Sequence, residues 1–438
     1  MIRYAVVGAG GYAGHHIRLI RQHGAELGCK LSAVTVRPQD RLPGQIEQFA
    51  AEGVEVFTNA GEMFAALSGK VEGVFLPTAI YTHADLACAA LAAGHNVYLE
   101  KPPAATVQEV DRMIAAERAS GRMVCLGFQA ISSESINLIK SRVVDGSLGA
   151  VRRLRCWAHW PRPDAYYARN EWAGRLKAGP AWVLDGPTNN ALAHQTANML
   201  YLASPTPRAF AAPLAVRAEL YHAREIDSED TSAVEVRLQS GDTIQASPSS
   251  QLRLGEQLAK TPAVGDSVSC PPIAYFIASH CAAGPHAGPW IAIDGEKGSV
   301  EWENSGRTMI RYADGRSESL ERDSVDPSVA SLANFTEAVR AGDRSLLNCT
   351  LEMGRHFTAA LNGAFESAGV TRAIPARLVR REGEGPEART IVDGLTELVT
   401  RCGKEGMLFS DAGAEWAQRT EPFDTVGYRR FPQRFRAP

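Results

Sequence analysis

Three stretches combine residue types that can do chemistry. The first is VYLEKPPAA, residues 97–105, where an apolar run ends in an acid, a base and two prolines. Prolines fix the backbone and cannot extend a strand ladder. Glu100 and Lys101 therefore mark the carboxyl end of a strand, the edge where open α/β sheets bind ligands. The second is GAGGYAG, residues 8–14, placed after a strand pattern and before a helical one. Gly8-x-Gly10-x-x-Ala13 fits the dinucleotide fingerprint. Gly8 permits the tight turn, Gly10 lets a pyrophosphate approach the backbone, and Ala13 keeps helix and strand close. Gly11 and Tyr12 stand at the helix start, whose free amides and dipole hold phosphate. The third is GPTNNALAHQTANML, residues 186–200. A helix opening near Asn189 or Asn190 puts Asn190 and His194 at i and i+4 on one face, with Thr188 or Asn189 as cap. Asn190 can donate and accept hydrogen bonds but cannot take a proton.

Secondary positions surround these. The second strand pattern ends Val34-Thr35-Val36-Arg37. NAD sites carry an acid there for the ribose hydroxyls, so Arg37, a partner for a 2′-phosphate, favours NADP over NAD. Asp40 lies close by. Gln129 falls where the chain crosses out of the first domain. The loop HWPRPDAYYARNEW, 159–172, brings Tyr166, Tyr167, Arg169 and Trp172 together, rings and donors suited to sugar faces and hydroxyls. Asp185 is a spare acid just before the 190–202 helix. Cys270, His280, Cys281 and His286 cluster in sequence, but their spacing fits no zinc pattern, and no metal is expected.

The elements that must position these groups follow from periodicity. Strand patterns at 4–7, 31–36, 73–76, 96–99 and 124–127 alternate with helical ones at 13–23, 61–68, 83–93 and 107–120. Such alternation predicts a parallel sheet with helices on both faces, a Rossmann dinucleotide-binding domain over 1–125. A helix at 133–145 and a strand at 151–157 follow. Then come a helix at 190–202 and short strands at 213–219, 231–238, 242–247, 289–293, 299–303 and 308–312. Many strands with few intervening helices predict an α+β domain with an open, mostly antiparallel sheet over 126–375, closed by helices at 328–341 and 351–367. Residues 376–438 form a C-terminal extension with one helical candidate at 387–403 and a basic end, GYRRFPQRFRAP, read as an interface arm or a partly disordered tail.

The totals exclude other classes. With 46 Lys plus Arg against 49 Asp plus Glu, nothing argues for nucleic acid or an anionic membrane. A strand pattern begins within three residues of Met1, so no signal peptide is expected, and the short apolar stretch near 273–283 predicts no membrane span. Eight scattered cysteines without CxxC read as free thiols of a cytoplasmic protein.

On GAGGYAG, PTAIYTHADLACAALAAGHNVYLEKPPA, LGFQ, LGAVRRLRCW and YYARNEWAG, the chain resembles the Gfo/Idh/MocA oxidoreductases over roughly residues 1–370. The resemblance implies a second-domain sheet that covers the carboxyl edge of the first and forms homodimers or homotetramers through its free face. It implies that Lys101 projects toward a nicotinamide ring, whose positive charge lowers a neighbouring lysine's pKa. It implies that His194 shares proton handling with Lys101, and that Asn190, where many relatives carry Asp, orients substrate hydroxyls. His83 matches a position near the cofactor, where Thr78 and Glu100 are also placed; Gln129, at the domain crossing, is read as reaching the nicotinamide or the substrate, and Tyr167 and Arg169 as lining a sugar pocket. The implied activity is NAD(P)-dependent hydride transfer between nicotinamide and a secondary alcohol or ketone of a sugar, sugar derivative or cyclitol. Two alternatives are a glycosidase working by transient oxidation with tightly bound NAD, and a non-catalytic NAD(P)-binding sensor.

Overall fold

The computed structural model describes residues 1–239 and 271–437. The strand expected at 242–247 and Cys270 lie outside the described residues. Six parallel strands form the first sheet: β1 (Ile2–Val6), β2 (Cys29–Thr35), β3 (Glu55–Phe57), β4 (Gly73–Leu76), β5 (Asn96–Glu100) and β6 (Val124–Gly127). Their order is β3-β2-β1-β4-β5-β6, so the direction of winding reverses between β1 and β4. The crevice outside that point is where such sheets take ligands. Every residue of β4 and β5 is buried, the continuous run expected of strands covered on both faces. Around the sheet lie α1 (Gly11–Leu27), α2 (Gln45–Ala51), α3 (Ala60–Ala66), α4 (His83–Ala92) and α5 (Val107–Ser120). Helix α5 opens with a reciprocal capping box between Thr106 and Glu109 and stops at Gly121, whose φ is 64°.

The second domain opens with α6 (Glu134–Val144) and β7 (Val151–His159), followed by α7 (Ala193–Ala203). Its further strands are β8 (Pro213–His222), β9 (Thr231–Leu238), β10 (Ile273–Ser279), β11 (Ala287–Gly295), β12 (Gly298–Glu303), β13 (Thr308–Tyr312) and β14 (Ser317–Leu320). They run β14-β13-β12-β11-β7-β10-β9-β8, and the pairs Arg372–Ala373 and Phe423–Asp424 both join β8. The β7–β10 pairing is parallel and the other pairings among these eight strands are antiparallel. Helices α7 and α9 (Leu351–Ala368) cover its inner face. Before them in space comes α8 (Pro327–Ala341), which returns to the first sheet. Its Thr336 and Ser331 hydroxyls meet the hydroxyls of Tyr4 and Tyr98 at 3.1 and 2.9 Å.

The C-terminal extension is folded onto the protein rather than free. Residues 387–403, expected as one helix, divide into the strand Arg389–Val392, paired with Val379–Glu382, and α10 (Leu395–Glu405). Gly394, at φ 75°, separates them. Helix α10 lies on the outer face of β7 and β10, burying Trp157, Ile277, Val399 and Cys402 together. A Cβ at Gly403 would come within 2.3 Å of the Trp157 side chain, so this close approach requires glycine. The rest of that face, toward β13, carries Arg153, Arg155, Asp294, Glu301 and Arg311, cross-linked by ion pairs. The last residues cross back to the first domain. Phe431 and Phe435 pack on Trp182 and Phe365, the Phe431 backbone exchanges two hydrogen bonds with Gln108 of α5, and the Glu366 carboxylate accepts the amides of Gln433, Arg434 and Phe435. No described helix is long and apolar enough to cross a membrane, and no described group of His, Cys, Asp and Glu could hold a metal ion.

Candidate functional site

The glycine turn is built as its spacing requires. Gly8 has φ 97°, and a Cβ there would lie 3.2 Å from the Ala13 Cβ. Its amide donates to the Thr35 hydroxyl at 2.7 Å, tying the turn to the end of β2. Gly10 precedes α1 as its cap, and no side chain caps the helix. A Cβ at Gly10 or Gly11 would meet nothing within 4 Å. An uncapped seventeen-residue helix start facing open space fits a dinucleotide diphosphate. Tyr12, 47% exposed, stands at the rim, and Ala13 is buried against Gly8. Arg37 is exposed at the end of β2 and ion-paired to Asp40 at 2.5 Å.

Glu100 and Lys101 are neighbours at a strand end, so their side chains leave in opposite directions. Glu100 turns inward and is 4% exposed. It receives Gln129 Nε2–H at 2.7 Å and the Lys101 amide at 3.1 Å, and lies 2.9 Å from His16 Nε2 of α1. Burial alone would push its carboxyl up; the contacts with His16 and the nearby Lys101 outweigh that and hold it below the usual carboxylate range. Lys101 turns the other way. Its ammonium donates to the Asn190 backbone oxygen at 2.8 Å and to Asn190 Oδ1 at 3.3 Å. Burial lowers its pKa, with Arg169 and Arg162 adding to the effect and Glu100 and Asp185 opposing it.

Asn190 and His194 do not share one regular helix. Residues Pro187–Ala191 form a π-helical turn, and Leu192, at φ −116° and ψ 25°, separates it from α7. Neither Thr188 nor Asn189 caps a helix; Asn189 instead donates to the Val183 and Leu184 carbonyls. His194 is half-buried against the edge of Phe128, with its Nδ1 enclosed and unpartnered. Burial, with the nearby Lys101, lowers its pKa to about 3, while Glu100 works the other way. The imidazole is neutral at physiological pH. Asn190 Nδ2 donates to Asp185 Oδ1 at 2.7 Å, so its amide is engaged on both sides inside the protein.

Several expected ligand contacts are replaced by supporting ones. His83 is fully buried, with its two nitrogens 2.9 Å from the Pro102 oxygen and 3.0 Å from the Thr78 oxygen, so it braces the loops after β4 and β5 instead of facing a cofactor. The Thr78 hydroxyl accepts from Thr82. Gln129 is buried, and its Nε2–H donates to Glu100 at 2.7 Å and to the Tyr12 hydroxyl at 3.4 Å. The Tyr167 hydroxyl sits 3.0 Å from His280 Nδ1, and Arg169 stacks on Tyr166 and reaches Asp185 at 3.2 Å. His16 was not anticipated as part of this network; the available signal was a histidine on the buried face of α1, five residues after Gly11. Two surface hollows, of about 330 Å³ beside Trp416 and about 270 Å³ beside Arg344, lie elsewhere and include none of these residues.

Comparison with known proteins bears on the fold. Residues 2–128 match the Gfo/Idh/MocA oxidoreductase family, described by its NAD-binding Rossmann fold. The inositol 2-dehydrogenase of Klebsiella pneumoniae is 30% identical over 199 residues, 44% of this chain and 52% of that enzyme. The inositol 2-dehydrogenase/D-chiro-inositol 3-dehydrogenase of Shouchella clausii is 31% identical over 156 residues, 35% of this chain and 44% of that enzyme. The chain thus spans about half the length of the curated relatives it matches. Among solved structures, the WlbA dehydrogenase from Bordetella pertussis, in complex with NADH and UDP-GlcNAcA, shares the fold at a TM-score of 0.63 and 21% identity, over 84% of this chain and 96% of that one. The aldose-aldose oxidoreductase from Caulobacter crescentus, complexed with glycerol, does so at 0.61 and 19%, over 84% and 97%. Residues 2–128 are thus similar to the Gfo/Idh/MocA oxidoreductases, and the likeness to solved structures extends the shared fold over 84% of the chain.

Proposed function

We propose that the chain is an NAD(P)-dependent oxidoreductase acting on a secondary alcohol or ketone of a sugar, sugar derivative or cyclitol. The observation that carries this reading is the Lys101 ammonium. It is half-buried, held by Asn190 and lowered in pKa, at the carboxyl end of β5 in a sheet whose strand β1 leads into an uncapped glycine turn. Gly8, Gly10, Gly11 and the first amides of α1 would hold the diphosphate of a nicotinamide dinucleotide, which supplies the hydride acceptor or donor when bound.

Lys101 takes the substrate hydroxyl proton during oxidation and returns it during reduction, because its lowered pKa lets both forms exist closer to neutral pH. His194, neutral and beside it, gives or takes one hydrogen bond at the same oxygen. Asn190 anchors the lysine rather than the substrate. The two carboxylates nearest Lys101 are already engaged, Glu100 by His16 and Gln129, Asp185 by Asn190 and Arg169. This ordered network supports turnover over a sensor that has lost it. Asp40, paired with Arg37, would repel a 2′-phosphate, which moves the cofactor preference suggested by Arg37 alone from NADP toward NAD.

A panel of cyclitols, sugars and sugar acids, followed by nicotinamide absorbance with each cofactor, tests the proposal. Turnover of at least one such alcohol is expected. Protein that binds a dinucleotide yet turns over no member of the panel in either direction would refute it.

A further inference from the structure

Position 190 holds an amide, and the negative charge facing Lys101 across it comes from five residues earlier. We propose that Asp185 is a positioning residue: it fixes the orientation of the Asn190 amide and thereby the direction in which Lys101 presents its remaining hydrogen. The proposal rests on the role assigned above to Lys101.

Asp185 is 2% exposed. Its Oδ1 accepts Asn190 Nδ2–H at 2.7 Å, and its Oδ2 accepts the Gly174 amide at 2.8 Å and Arg169 Nη2–H at 3.2 Å. A carboxylate can only accept, and an ammonium can only donate. The Asn190 amide between them therefore has one permitted orientation, Nδ2 toward Asp185 and Oδ1 toward Lys101. The π-helical turn Pro187–Ala191 makes this possible by also aiming the Asn190 backbone oxygen at the same ammonium. Lysine has three donors. Two are fixed on Asn190, so a single N–H is left for a substrate oxygen.

Lys101 feels Glu100, Asp185, Arg169 and Arg162, with His194 beside it. Of the two acids, only Asp185 is joined to Nζ through a bridging side chain; the Glu100 side chain points away and is held by His16 and Gln129. An aspartate at 190 would place orientation and charge in one residue. Here Asn190 provides the first and Asp185 the second.

The test reads Lys101 directly and needs no substrate. Lys101 labelling by formaldehyde and cyanoborohydride is followed against pH by peptide mass spectrometry in the full chain. Asp185→Asn keeps an acceptor for Asn190 but removes the charge. At roughly 8 Å and an effective dielectric constant of about 40 to 80, this lowers the Lys101 ionisation by about 0.4 to 0.8 pH unit. Adding Asn190→Asp in that background moves the acid one link closer and restores it. Asn190→Ala leaves the Asp185–Gly174 bond intact and lowers the ionisation as well, which keeps the question answerable if Asp185→Asn folds poorly. A Lys101 ionisation within about 0.2 unit of the parent in folded Asp185→Asn and in Asn190→Ala would overturn the proposal. A shift without turnover of any polyol would retain the positioning role and count against the proposed activity alone. Turnover without a shift would do the reverse.

Discussion

Gly10→Val separates folding from cofactor capture. Gly10 is extended, at φ −105° and ψ 177°, a conformation valine adopts without strain. No atom lies within 4 Å of the place its Cβ would occupy. Changing glycine to an aliphatic residue at a helix cap costs on the order of 1 kcal/mol, a few degrees at most in the unfolding midpoint of a chain this size. The same open space is where a diphosphate must approach the first amides of α1. Each amide–phosphate hydrogen bond is charge-assisted and contributes about 1.5–3 kcal/mol. Blocking two of them removes about 3–6 kcal/mol, or roughly two to four decades in Kd. The assay is NADH and NADPH fluorescence titration, with thermal unfolding recorded with and without cofactor. The parent should gain stability from cofactor; the variant should unfold within a few degrees of the free parent and gain none. Gly8→Ala is the contrasting variant, because φ 97° and the 3.2 Å contact with Ala13 put strain of about 1–2 kcal/mol into the fold itself. A well-folded Gly10→Val that binds either cofactor within tenfold of the parent would show that the turn does not hold the diphosphate.

Three further outcomes are expected. Lys101→Met lowers kcat by about 10²–10⁴ with cofactor affinity retained, and removes the ionisation that the parent shows on the rising limb of its rate–pH profile; a kcat within threefold of the parent counts against the assignment. His194, held at about 3 in the fold and ordinary in the unfolded chain, leaves the unfolded state to bind the extra proton as pH falls below about 6.5, so stability drops from there toward pH 3; denaturant unfolding of His194→Phe should show that slope reduced, and an unchanged slope would refute it. His16→Ala removes one of the three partners of the buried Glu100 carboxylate and costs about 1.5–3 kcal/mol, whereas Asp40→Asn raises the NADPH affinity relative to NADH; an unaltered unfolding midpoint or cofactor ratio, respectively, would contradict each reading.

Much of the scaffold was legible because its signals are local. Strands β4 and β6 and helix α5 stand at the predicted residues, since continuous apolar runs, a capping box and a terminal glycine all act within a few positions. Helix α2 and strand β3 were missed because QIEQFAA buries only Phe49 and a three-residue strand shows no period. Strand β10 was missed because an apolar run of seven residues does not distinguish a strand from a buried helix segment. At the site, residue types could be read but not their directions. Strand alternation forbids Glu100 and Lys101 from facing the same side, but the residue types alone do not say which of them turns inward. The pairing of His16 with Glu100 joins residues 84 apart in sequence, and the return of α8 to Tyr4 spans 332, distances at which periodicity carries no information.

The segment that closes over Trp157 also constrains assembly. A broad β-surface bearing tryptophan and isoleucine would ordinarily invite a twin to shield it from water. In this chain α10 performs that shielding in cis, and among the described residues the neighbouring part of that face is the ionic flank around Arg153, Asp294, Glu301 and Arg311. Self-association through that flank would be polar, and it would dissolve as ionic strength rises.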